Sequence, residues 1–406
     1  MNIIVQKFGG TSMGSIERIR NVAQIVAKAL SADQKVIVVV SAMSGETDRL
    51  LGLANQLGKN ERELDAIVAT GEQVASCLLA MALCDIAVPA KSLNGWQLPL
   101  RTSKHHQRAR IQNVDIKTLL DSVQNNIIPV VTGFQGINED NEITTLGRGG
   151  SDLTAVAIAN AVGATECQIF TDVDGVYTCD PRVVPNAQRL HEVSFDEMME
   201  LASQGSKVLQ DRSLEYAGKH EVPVRVLSSM QPGEGTLVTF NKNRSPDAPL
   251  IAGVALAREQ AQISLCGMPQ RPGLASYILS AIGNANIDVD MIVQNLKSED
   301  QTSDFSFIIH RRDFDAAYKI AETLVKDLRA EKIVTSNQLA KLSLVGIGMR
   351  SHAGIASKMF SALGQEGIDV LLISATELKI TAVIDERFLE IGARTLHQAF
   401  DLDQPS

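Results

Sequence analysis

The chain opens with the stretch Ile3–Ser12, IIVQKFGGTS, in which a short apolar run ends at Lys7 and leads into two glycines and a helical pattern. Further apolar runs at 36–40, 127–131 and 167–170 are separated by segments with helical periodicity. Runs that are apolar on both faces and alternate with helices are typical of parallel strands covered by helices on each side. The sequence therefore predicts a three-layer α/β domain with a mostly parallel central sheet.

Length and composition limit the possible classes of protein. At 406 residues the chain exceeds the size at which one hydrophobic core stops growing, so at least two domains are expected. A formal net charge of -9 argues against a nucleic-acid or anionic-membrane binder, because either needs a dense basic face. The sequence shows no apolar run of about 18 residues and no secretory leader, so we expect no membrane partner. The five scattered cysteines are typical of reduced thiols in a cytoplasmic protein.

The C-terminal part contains a repeat. Gly273–Ser276 is echoed by Gly354–Ser357, and Ile287–Val289 is echoed by Ile368–Val370, at one fixed spacing. Two modules of this size predict α+β units of βαββαβ type. The predicted division is a catalytic domain at 1–240, a polar, Pro-containing linker at 241–249, and modules at 250–335 and 336–406, with the strand 250–258 assignable to either module.

The first glycine cluster follows a strand and precedes a helix. Gly9 and Gly10 let the backbone approach a phosphate closely, and the helix N-terminus directs free N–H groups toward it. Lys7 supplies a cation that can follow charge onto a transferring phosphoryl group. The alternative interpretation is a tight turn beside a surface lysine.

The second glycine cluster, Thr145–Asp152, reads TLGRGGSD and also precedes a helix. Glycines on either side of an arginine favour a loop that faces an anion, and Arg148 can bind a carboxylate through two parallel hydrogen bonds. Asp152 could instead be an acidic residue that only complements the helix dipole.

These clusters occur in one order with Ser41–Ser44 (SAMS), Thr70–Gln73 (TGEQ) and Thr171–Tyr177 (TDVDGVY). In this combination the chain resembles the aspartate kinases of the amino-acid kinase fold. Its tandem C-terminal modules resemble the ACT domains of that family. The resemblance extends from Lys7 to about Asp401.

The resemblance implies roles for individual residues. The implied catalytic residues are Lys7, Asp152 and Lys207. The implied aspartate contacts are Thr47, Glu72, Arg148 and Ser151. The implied ATP contacts are Lys7, Gly9, Gly10, Thr171, Asp172, Tyr177, Arg182, Lys207 and Val208. The implied effector contacts are Gln270, Gly273, Ala275, Asp288, Val289, Asp290 and Gln294. Mg²⁺ is expected with ATP, and no direct protein ligand for the metal is assigned.

Several of these residues have a plainer interpretation. Lys207 could be a solvated helix lysine, and Glu72 could open a helix that Thr70 caps. Phe134 matches a pocket position of the family but suits a hydrophobic core equally well. His105 and His106 are expected on a solvated loop.

Two positions depart from the pattern. Gln270 stands where relatives commonly carry an acid next to the effector site, and Asp211 is unusual at its place in the chain.

The resemblance implies the reaction ATP + L-aspartate → 4-phospho-L-aspartate + ADP, the first step of lysine, threonine and methionine biosynthesis. Lysine, threonine or both are the expected effectors, and the ACT modules are expected to form a homodimer or larger assembly. The alternatives are another amino-acid kinase, such as one acting on glutamate, and a catalytically silent amino-acid sensor. A sensor would be free to lose Lys7, Asp152 and Lys207, and all three are present.

Overall fold

The computed structural model describes residues 2–32, 34–58, 60–98, 100–203, 209–240, 251–297, 301–349 and 354–404. Within these ranges the chain divides into two compact units. The first unit contains the residues up to Tyr177 and those from Arg189 to Phe240, and the second contains Thr178–Gln188 and the residues from Ile251 onward. The sequence alone assigns 178–188 to the predicted domain 1–240, because nothing local indicates that it packs elsewhere.

The first unit alternates strands and helices. Its strands are β1 (Ile3–Phe8), β2 (Lys35–Val40), β3 (Ala90–Leu93), β4 (Leu100–Thr102), β5 (Ile111–Val114), β6 (Ile128–Thr132), β7 (Gln135–Ile137), β8 (Ile143–Thr145), β9 (Glu166–Thr171), β10 (Glu192–Ser194), β11 (Val224–Ser228) and β12 (Thr236–Thr239). Its helices are α1 (Ile16–Ser31), α2 (Glu46–Ala54), α3 (Glu61–Asp85), α4 (Lys117–Gln124), α5 (Gly150–Val162), α6 (Phe195–Ser203) and α7 (Asp211–His220).

Eight of these strands form one sheet in the order β10-β12-β11-β9-β1-β2-β6-β3. All neighbouring pairs in it are parallel except β11 with β12. Every residue of β1 is buried, as expected for a strand with helices on both faces. A smaller sheet in the order β5-β4-β7-β8 lies in the same unit. The predicted α/β fold class is confirmed.

Helix α3 is the longest helix in the described chain and belongs to the core. By length and composition it could span a membrane. However, Leu79 and Leu83 pack in the cluster that also contains residues of α1, β1 and β2, and two carboxylates of α3, Asp65 and Glu72, are buried in the same unit. One face of α3, including Leu79 and Leu83, is therefore buried inside a globular unit, while Val74 and Met81 are exposed.

The second unit contains a six-stranded sheet in the order β14-β15-β13-β16-β18-β17. Its strands are β13 (Ile251–Pro269), β14 (Val289–Lys297), β15 (Thr302–His310), β16 (Lys332–Gly346), β17 (Leu372–Ala375) and β18 (Lys379–Asp385). Its helices are α8 (Leu274–Asn284), α9 (Phe314–Leu328), α10 (Ile355–Gln365) and α11 (Leu389–Ala399).

The two predicted modules share the long strands β13 and β16. The first half of β13, from Ile251, pairs with the part of β16 that also pairs with β18, whereas the second half of β13 pairs with β15. The strand around 251–257 therefore lies in the sheet of the second module, one of the two assignments that the sequence left open. Helices α8 and α10 begin one residue after Gly273 and Gly354, the repeated glycines, and both glycines have positive φ.

Gly392 in α11 packs too closely against β16 to leave room for a side chain, because a Cβ placed there would lie 2.6 Å from Cδ1 of Leu342. We expect Gly392→Ala to lower the free energy of unfolding by about 1–3 kcal/mol through overpacking. The matched control is Gly364→Ala in α10, where no atom lies within 4 Å of the new Cβ, so stability should stay equal or rise by about 0.5–1 kcal/mol. Urea unfolding of the full chain measures both. Leu342→Val should restore part of the loss, and equal effects of the two glycine substitutions would contradict the packing argument.

Candidate active site

The carboxyl ends of four parallel strands lie side by side in the first unit. Phe8 of β1 is in register with Val40 of β2 and with Phe170 of β9, and Val40 is in register with Thr132 of β6. The loops that follow these strands therefore emerge at one edge of the sheet. In open α/β sheets this edge is where ligands bind.

Lys7 and Asp152 form an ion pair at this edge. The Nζ atom of Lys7 lies 2.5 Å from Oδ1 of Asp152, and both side chains are only 10% exposed. Lys7 is the next-to-last residue of β1, and Asp152 lies in the first turn of α5. Loss of either partner would leave a buried charge without a counter-charge, which is strongly destabilising. Asp152 therefore does more than complement a helix dipole.

The glycines after β1 keep the space around this pair open. A Cβ on Gly9 would lie 3.4 Å from Nζ of Lys7, and a Cβ on Gly10 would lie 3.1 Å from the carbonyl oxygen of Ala42. Side chains at these positions would crowd the lysine ammonium and the loop after β2. The backbone of the first cluster can thus approach a ligand beside Lys7.

The second cluster forms the entrance to α5. Gly147 and Gly149 have φ values of 79° and 72°, and a Cβ on Gly149 would overlap the side chain of Gln210. The first-turn N–H groups of α5 provide an anion-binding end. Arg148 is exposed between the two glycines, and no partner for its guanidinium lies among the described residues.

Glu72 is a buried carboxylate in the middle of α3. Its Oε1 accepts a hydrogen bond of 3.1 Å from the Ala42 N–H, and its Oε2 has no hydrogen-bond partner among the described residues. Burial raises the pKa of Glu72 to about 7. The interpretation in which Thr70 caps a helix opened by Glu72 is wrong, because α3 already begins at Glu61, with Asn60 as its cap.

Phe134 and Ser151 lie where the loop after β6 meets α5. Phe134 has a φ of 68°, an uncommon conformation for an aromatic residue, and its N–H donates to Oγ1 of Thr154. A Cβ on Gly133 would lie 2.7 Å from Oγ of Ser151. Phe134 is half-buried, and its uncommon backbone conformation lies where the two loops meet.

The predicted nucleotide residues do not all belong to one unit. Thr171 ends β9 and donates a hydrogen bond to Asp172, while the Tyr177 hydroxyl donates to Oδ1 of Asp174 at 2.8 Å. Arg182 belongs to the second unit, where its guanidinium pairs with Asp180. Lys207 and Val208, also predicted here, lie outside the described residues.

Thr47, a predicted aspartate contact, is in the first turn of α2.

Asp65, Arg212 and His106 support the loops of the site, and the sequence analysis did not select any of them for this role. Asp65 is fully buried and binds the loop that contains His106. The expectation of a solvated loop is met at His105, which is exposed, but not at the His106 ring, which is half-buried with its Nδ1 2.9 Å from Asp65. Arg212 donates to the carbonyl oxygens of Leu146 and Ala109. The sequence signal for Asp65 was weak: it is an acid followed by the apolar run 66–69, two turns before Glu72 on the same helix.

Asp211, the residue without a sequence explanation, begins α7. An acid in the first turn of a helix is favoured by the helix dipole.

Other chemistries find little support in the described residues. No three His, Cys, Asp or Glu side chains in these ranges cluster to bind a metal ion. Burial raises the pKa of Cys167 and raises that of Cys179 to about 12, so both are neutral thiols near pH 7. Neither is an activated nucleophile.

Comparisons with known proteins identify the family. The profile of the amino acid kinase family matches residues 2–228, and that of the ACT domain matches 263–323 and 342–400. An aspartate kinase of Pseudomonas fluorescens (strain SBW25) is 52% identical over 410 residues, which cover 100% of this chain and 99% of the relative. The chain belongs to the aspartate kinase family. The predicted family and its ATP-dependent kinase activity are confirmed.

Solved structures of aspartate kinases agree with the fold. Aspartokinase III of E. coli in complex with aspartate and ADP, in the R-state, has a TM-score of 0.79 at 26% identity, covering 98% of this chain and 99% of that one. The same enzyme with lysine and aspartate, in the T-state, has a TM-score of 0.78 at 26% identity and covers 98% of this chain and 100% of that one.

The predicted effector residues of this aspartate kinase lie in and around α8 and β14. Gly273 caps α8 with a φ of 84°, Ala275 is in its first turn, and Asp288 is exposed just before β14. Val289, Asp290 and Gln294 are in β14, an edge strand. Asp290 forms an ion pair with Lys341 of β16, whose side chain is buried.

Gln270 has a structural role that an acid could not fill. Its amide nitrogen donates to the carbonyl oxygens of Lys297 and Thr302, at 3.3 and 2.9 Å. It thereby links the end of β13 to the ends of β14 and β15. A carboxylate at this position has no proton to donate and would face two carbonyl oxygens.

The raised pKa of Glu72 has a measurable consequence for stability. Its ordinary value is 4.5 and its folded value is about 7, so between these pH values the folded chain retains a proton that the unfolded chain has lost. Stability should fall as the pH rises through this range. Glu72→Gln removes this pH dependence. The free energy of unfolding of the variant, taken relative to that of the wild type, should therefore increase by up to about 3 kcal/mol between pH 5 and pH 8.

Urea unfolding without ligands, at pH 5 and pH 8, tests this expectation. Glu61→Gln is the matched control, because it makes the same change at an exposed position of α3. Glu61 lies in the first turn of the helix, so its removal should lower the free energy of unfolding by about 0.3–1 kcal/mol, and by the same amount at both pH values. A constant difference between Glu72→Gln and the wild type would show that Glu72 does not exchange a proton in this range.

Proposed function

We propose that this chain transfers the γ-phosphoryl group of ATP to the side-chain carboxylate of L-aspartate, giving 4-phospho-L-aspartate and ADP, at the edge of the sheet that carries Lys7. The observation that carries the proposal is the buried Lys7–Asp152 pair between two glycine-rich loops, in the same unit as the buried carboxylate of Glu72. Cations and N–H dipoles are suited to a polyphosphate, and a buried acid is suited to the ammonium of an amino acid.

At the phosphate end, the chain's own contribution is positioning and charge. Lys7 stabilises the charge that develops on the transferring group, and the backbone at Gly9 and Gly10 approaches the phosphates. Asp152 orients the lysine ammonium through its 2.5 Å contact. We assign Lys207 to the same phosphates by its family motif. Mg²⁺, held mainly by phosphate oxygens and water, supplies further neutralisation of charge.

At the acceptor end, Glu72 binds the substrate ammonium and Arg148 binds a carboxylate. The free Oε2 of Glu72 supports the first role, and the exposed guanidinium of Arg148 between two glycines supports the second. Ser151 and Thr47 complete the contacts. The attacking carboxylate is ionised at pH 7, so its oxygen forms the bond to phosphorus without a general base, while the bond to the bridging oxygen of ADP breaks.

For the nucleotide we propose contacts from Thr171, Asp172, Tyr177, Arg182 and Val208. Thr171 ends β9 and Asp172 and Tyr177 follow it, and the carboxyl end of β9 adjoins that of β1. Arg182 and Val208 are carried over from the family motif alone.

For regulation we propose that a catalytic domain at 1–240 is joined by the linker 241–249 to ACT modules at 250–335 and 336–406, and that the first of these modules binds lysine, threonine or both. The effector contacts are Gln270, Gly273, Ala275, Asp288, Val289, Asp290 and Gln294. We also propose a homodimer or larger assembly through these modules, in the cytoplasm. The edge strand β14 exposes Ile292 (48%) and Leu296 (64%), and a second copy could cover such an edge. The lysine-bound E. coli enzyme supports the effector class.

Turnover should depend on Lys7. We expect Lys7→Ala to lower kcat by about a hundredfold or more, the cost of losing one charge contact in the transition state. A hydroxylamine-trapping assay with ATP measures this, because acyl phosphates form coloured hydroxamates. The wild type, tested with a panel that includes aspartate and glutamate, should respond to aspartate.

Thermal unfolding of Lys7→Ala must accompany the assay, because the variant leaves Asp152 buried without its partner. A folded variant with turnover near that of the wild type would remove Lys7 from the mechanism. A wild type that responds to glutamate instead would make the chain a different amino-acid kinase.

Effector binding should depend on Asp290. We expect Asp290→Asn to weaken lysine or threonine binding by about fivefold or more, because the effector ammonium loses a counter-charge, while turnover without effector stays within about twofold. Asparagine is preferred to alanine because it leaves a polar partner for the buried Lys341. Isothermal titration calorimetry measures the binding, and Asp369→Asn, in the second module, is the control.

The wild type comes first in this titration. If neither amino acid binds to it at millimolar concentration, the ACT pair serves assembly and not effector binding. If Asp369→Asn weakens binding as much as Asp290→Asn does, the assigned pocket is wrong.

A further inference from the structure

Asp65 is a buried carboxylate that accepts several hydrogen bonds near the proposed site, and no function has been assigned to it. Asp65 in α3 is fully buried and lies two turns before Glu72, on the same helix. Its oxygens are hydrogen-bonded to Nδ1 of His106 at 2.9 Å, the Gln107 N–H at 3.0 Å, and the N–H and Oγ1 of Thr145 at 3.0 and 2.6 Å. A carboxylate that accepts several such bonds fixes the groups that donate them, because charge-assisted hydrogen bonds are stronger than neutral ones.

These donors belong to two segments, of which one leads directly to Arg148 of the second glycine cluster and the other packs against the same loop. Thr145 ends β8, three residues before Arg148. The other segment presses against the same loop, because a Cβ on Gly147 would lie 2.8 Å from the carbonyl oxygen of Gln107. Gln107 itself has a φ of 62°, which a glutamine adopts when its surroundings impose it.

A second anchor holds the loop one residue farther on. Arg212 of α7 donates to the carbonyl oxygen of Leu146 and, at 3.2 Å, to that of Ala109. The backbone just before the loop is therefore held at two successive residues, by Asp65 at Thr145 and by Arg212 at Leu146. Arg148 itself has no partner among the described residues, so its placement depends on this backbone.

We propose that Asp65 is a positioning residue for the acceptor amino acid. Helix α3 carries both Glu72 and Asp65, and Asp65 fixes the backbone that precedes Arg148. One rigid helix thus sets the spacing between the ammonium-binding carboxylate and the carboxylate-binding guanidinium. The inference rests on the proposed roles of Glu72 and Arg148, and it concerns binding of the amino acid and not of ATP.

Asp65→Asn tests the proposal with a small change of shape. The amide keeps one acceptor oxygen but places an NH₂ group against the donors of Gln107 and Thr145, so the loop should lose its fixed position. We expect the KM for aspartate to rise by about tenfold or more, while the KM for ATP stays within about twofold and kcat falls less than the aspartate KM rises. A purely structural role would change both Michaelis constants together, or neither.

Two further variants keep the test decisive. Glu166→Gln is the matched control, because it breaks the Glu166–Arg225 pair at the opposite end of β9, away from Thr171, and should leave both Michaelis constants unchanged. Thr145→Val removes only the 2.6 Å hydroxyl bond to Asp65 and should give a smaller rise of about threefold in the aspartate KM. If Asp65→Asn does not fold, Thr145→Val alone decides, and an unchanged aspartate KM overturns the proposal.

A double-mutant cycle with Arg148→Ala separates this inference from the proposed function. If Asp65 acts through Arg148, Asp65→Asn should have little further effect on the aspartate KM in the Arg148→Ala background. Additive effects would show that Asp65 acts elsewhere and would overturn the inference. If Arg148→Ala alone leaves the aspartate KM unchanged, the proposed role of Arg148 fails and the inference fails with it; if Arg148→Ala raises it and Asp65→Asn does not, only the inference fails.

Discussion

The buried ion pair between Lys7 and Asp152 is the interaction on which the catalytic half of this aspartate kinase depends. It joins the end of the central strand β1 to the first turn of α5, so it connects the two glycine clusters that the sequence places far apart. Lysine alone at a strand end would be solvated and mobile. Held by a carboxylate and only 10% exposed, its ammonium has a fixed position. In the proposed mechanism, a charge fixed in this way stabilises a developing charge without the cost of reorganisation.

Helix α3 is the second organising element, because it carries two buried carboxylates with opposite environments. Asp65 is surrounded by hydrogen-bond donors, whereas among the described residues Glu72 receives one N–H from another residue, that of Ala42, and its Oε2 has no partner. A carboxylate whose oxygens are all hydrogen-bonded holds other parts of the structure in place. A carboxylate such as Glu72, which has an oxygen without a partner among the described residues and a pKa of about 7, is suited to a cationic ligand, because the cation would favour its charged form. On this one helix, Asp65 therefore has the environment of a supporting residue and Glu72 that of a binding residue.

The second unit is organised by two long strands that both modules share. Each βαββαβ module would expose sheet edges, and here the long strands β13 and β16 pass from one module into the other, so a single six-stranded sheet replaces two smaller ones. The buried Lys341 beside Asp290 also connects β16 to β14. An effector that binds at the acids of β14 would therefore act on strands shared by both modules, and shared strands are a physical means of coupling two repeats.

The sequence by itself determined the fold class, the repeat and the family. Apolar runs, glycine positions and motif order are local features, which can be read from the sequence alone. Gly273 and Gly354 precede helices as expected, and the apolar run at the start of the chain lies in the buried strand Ile3–Phe8. What only the tertiary structure decided are the partnerships between distant residues. That Asp152 faces Lys7, that Asp65 holds Thr145, and that Gln270 donates to Lys297 and Thr302 depend on how strands and helices are placed in space. Periodicity reports whether a side chain is buried, but the identity of its partner is set by packing across the fold, because residues that meet there are separated by tens of positions in the chain.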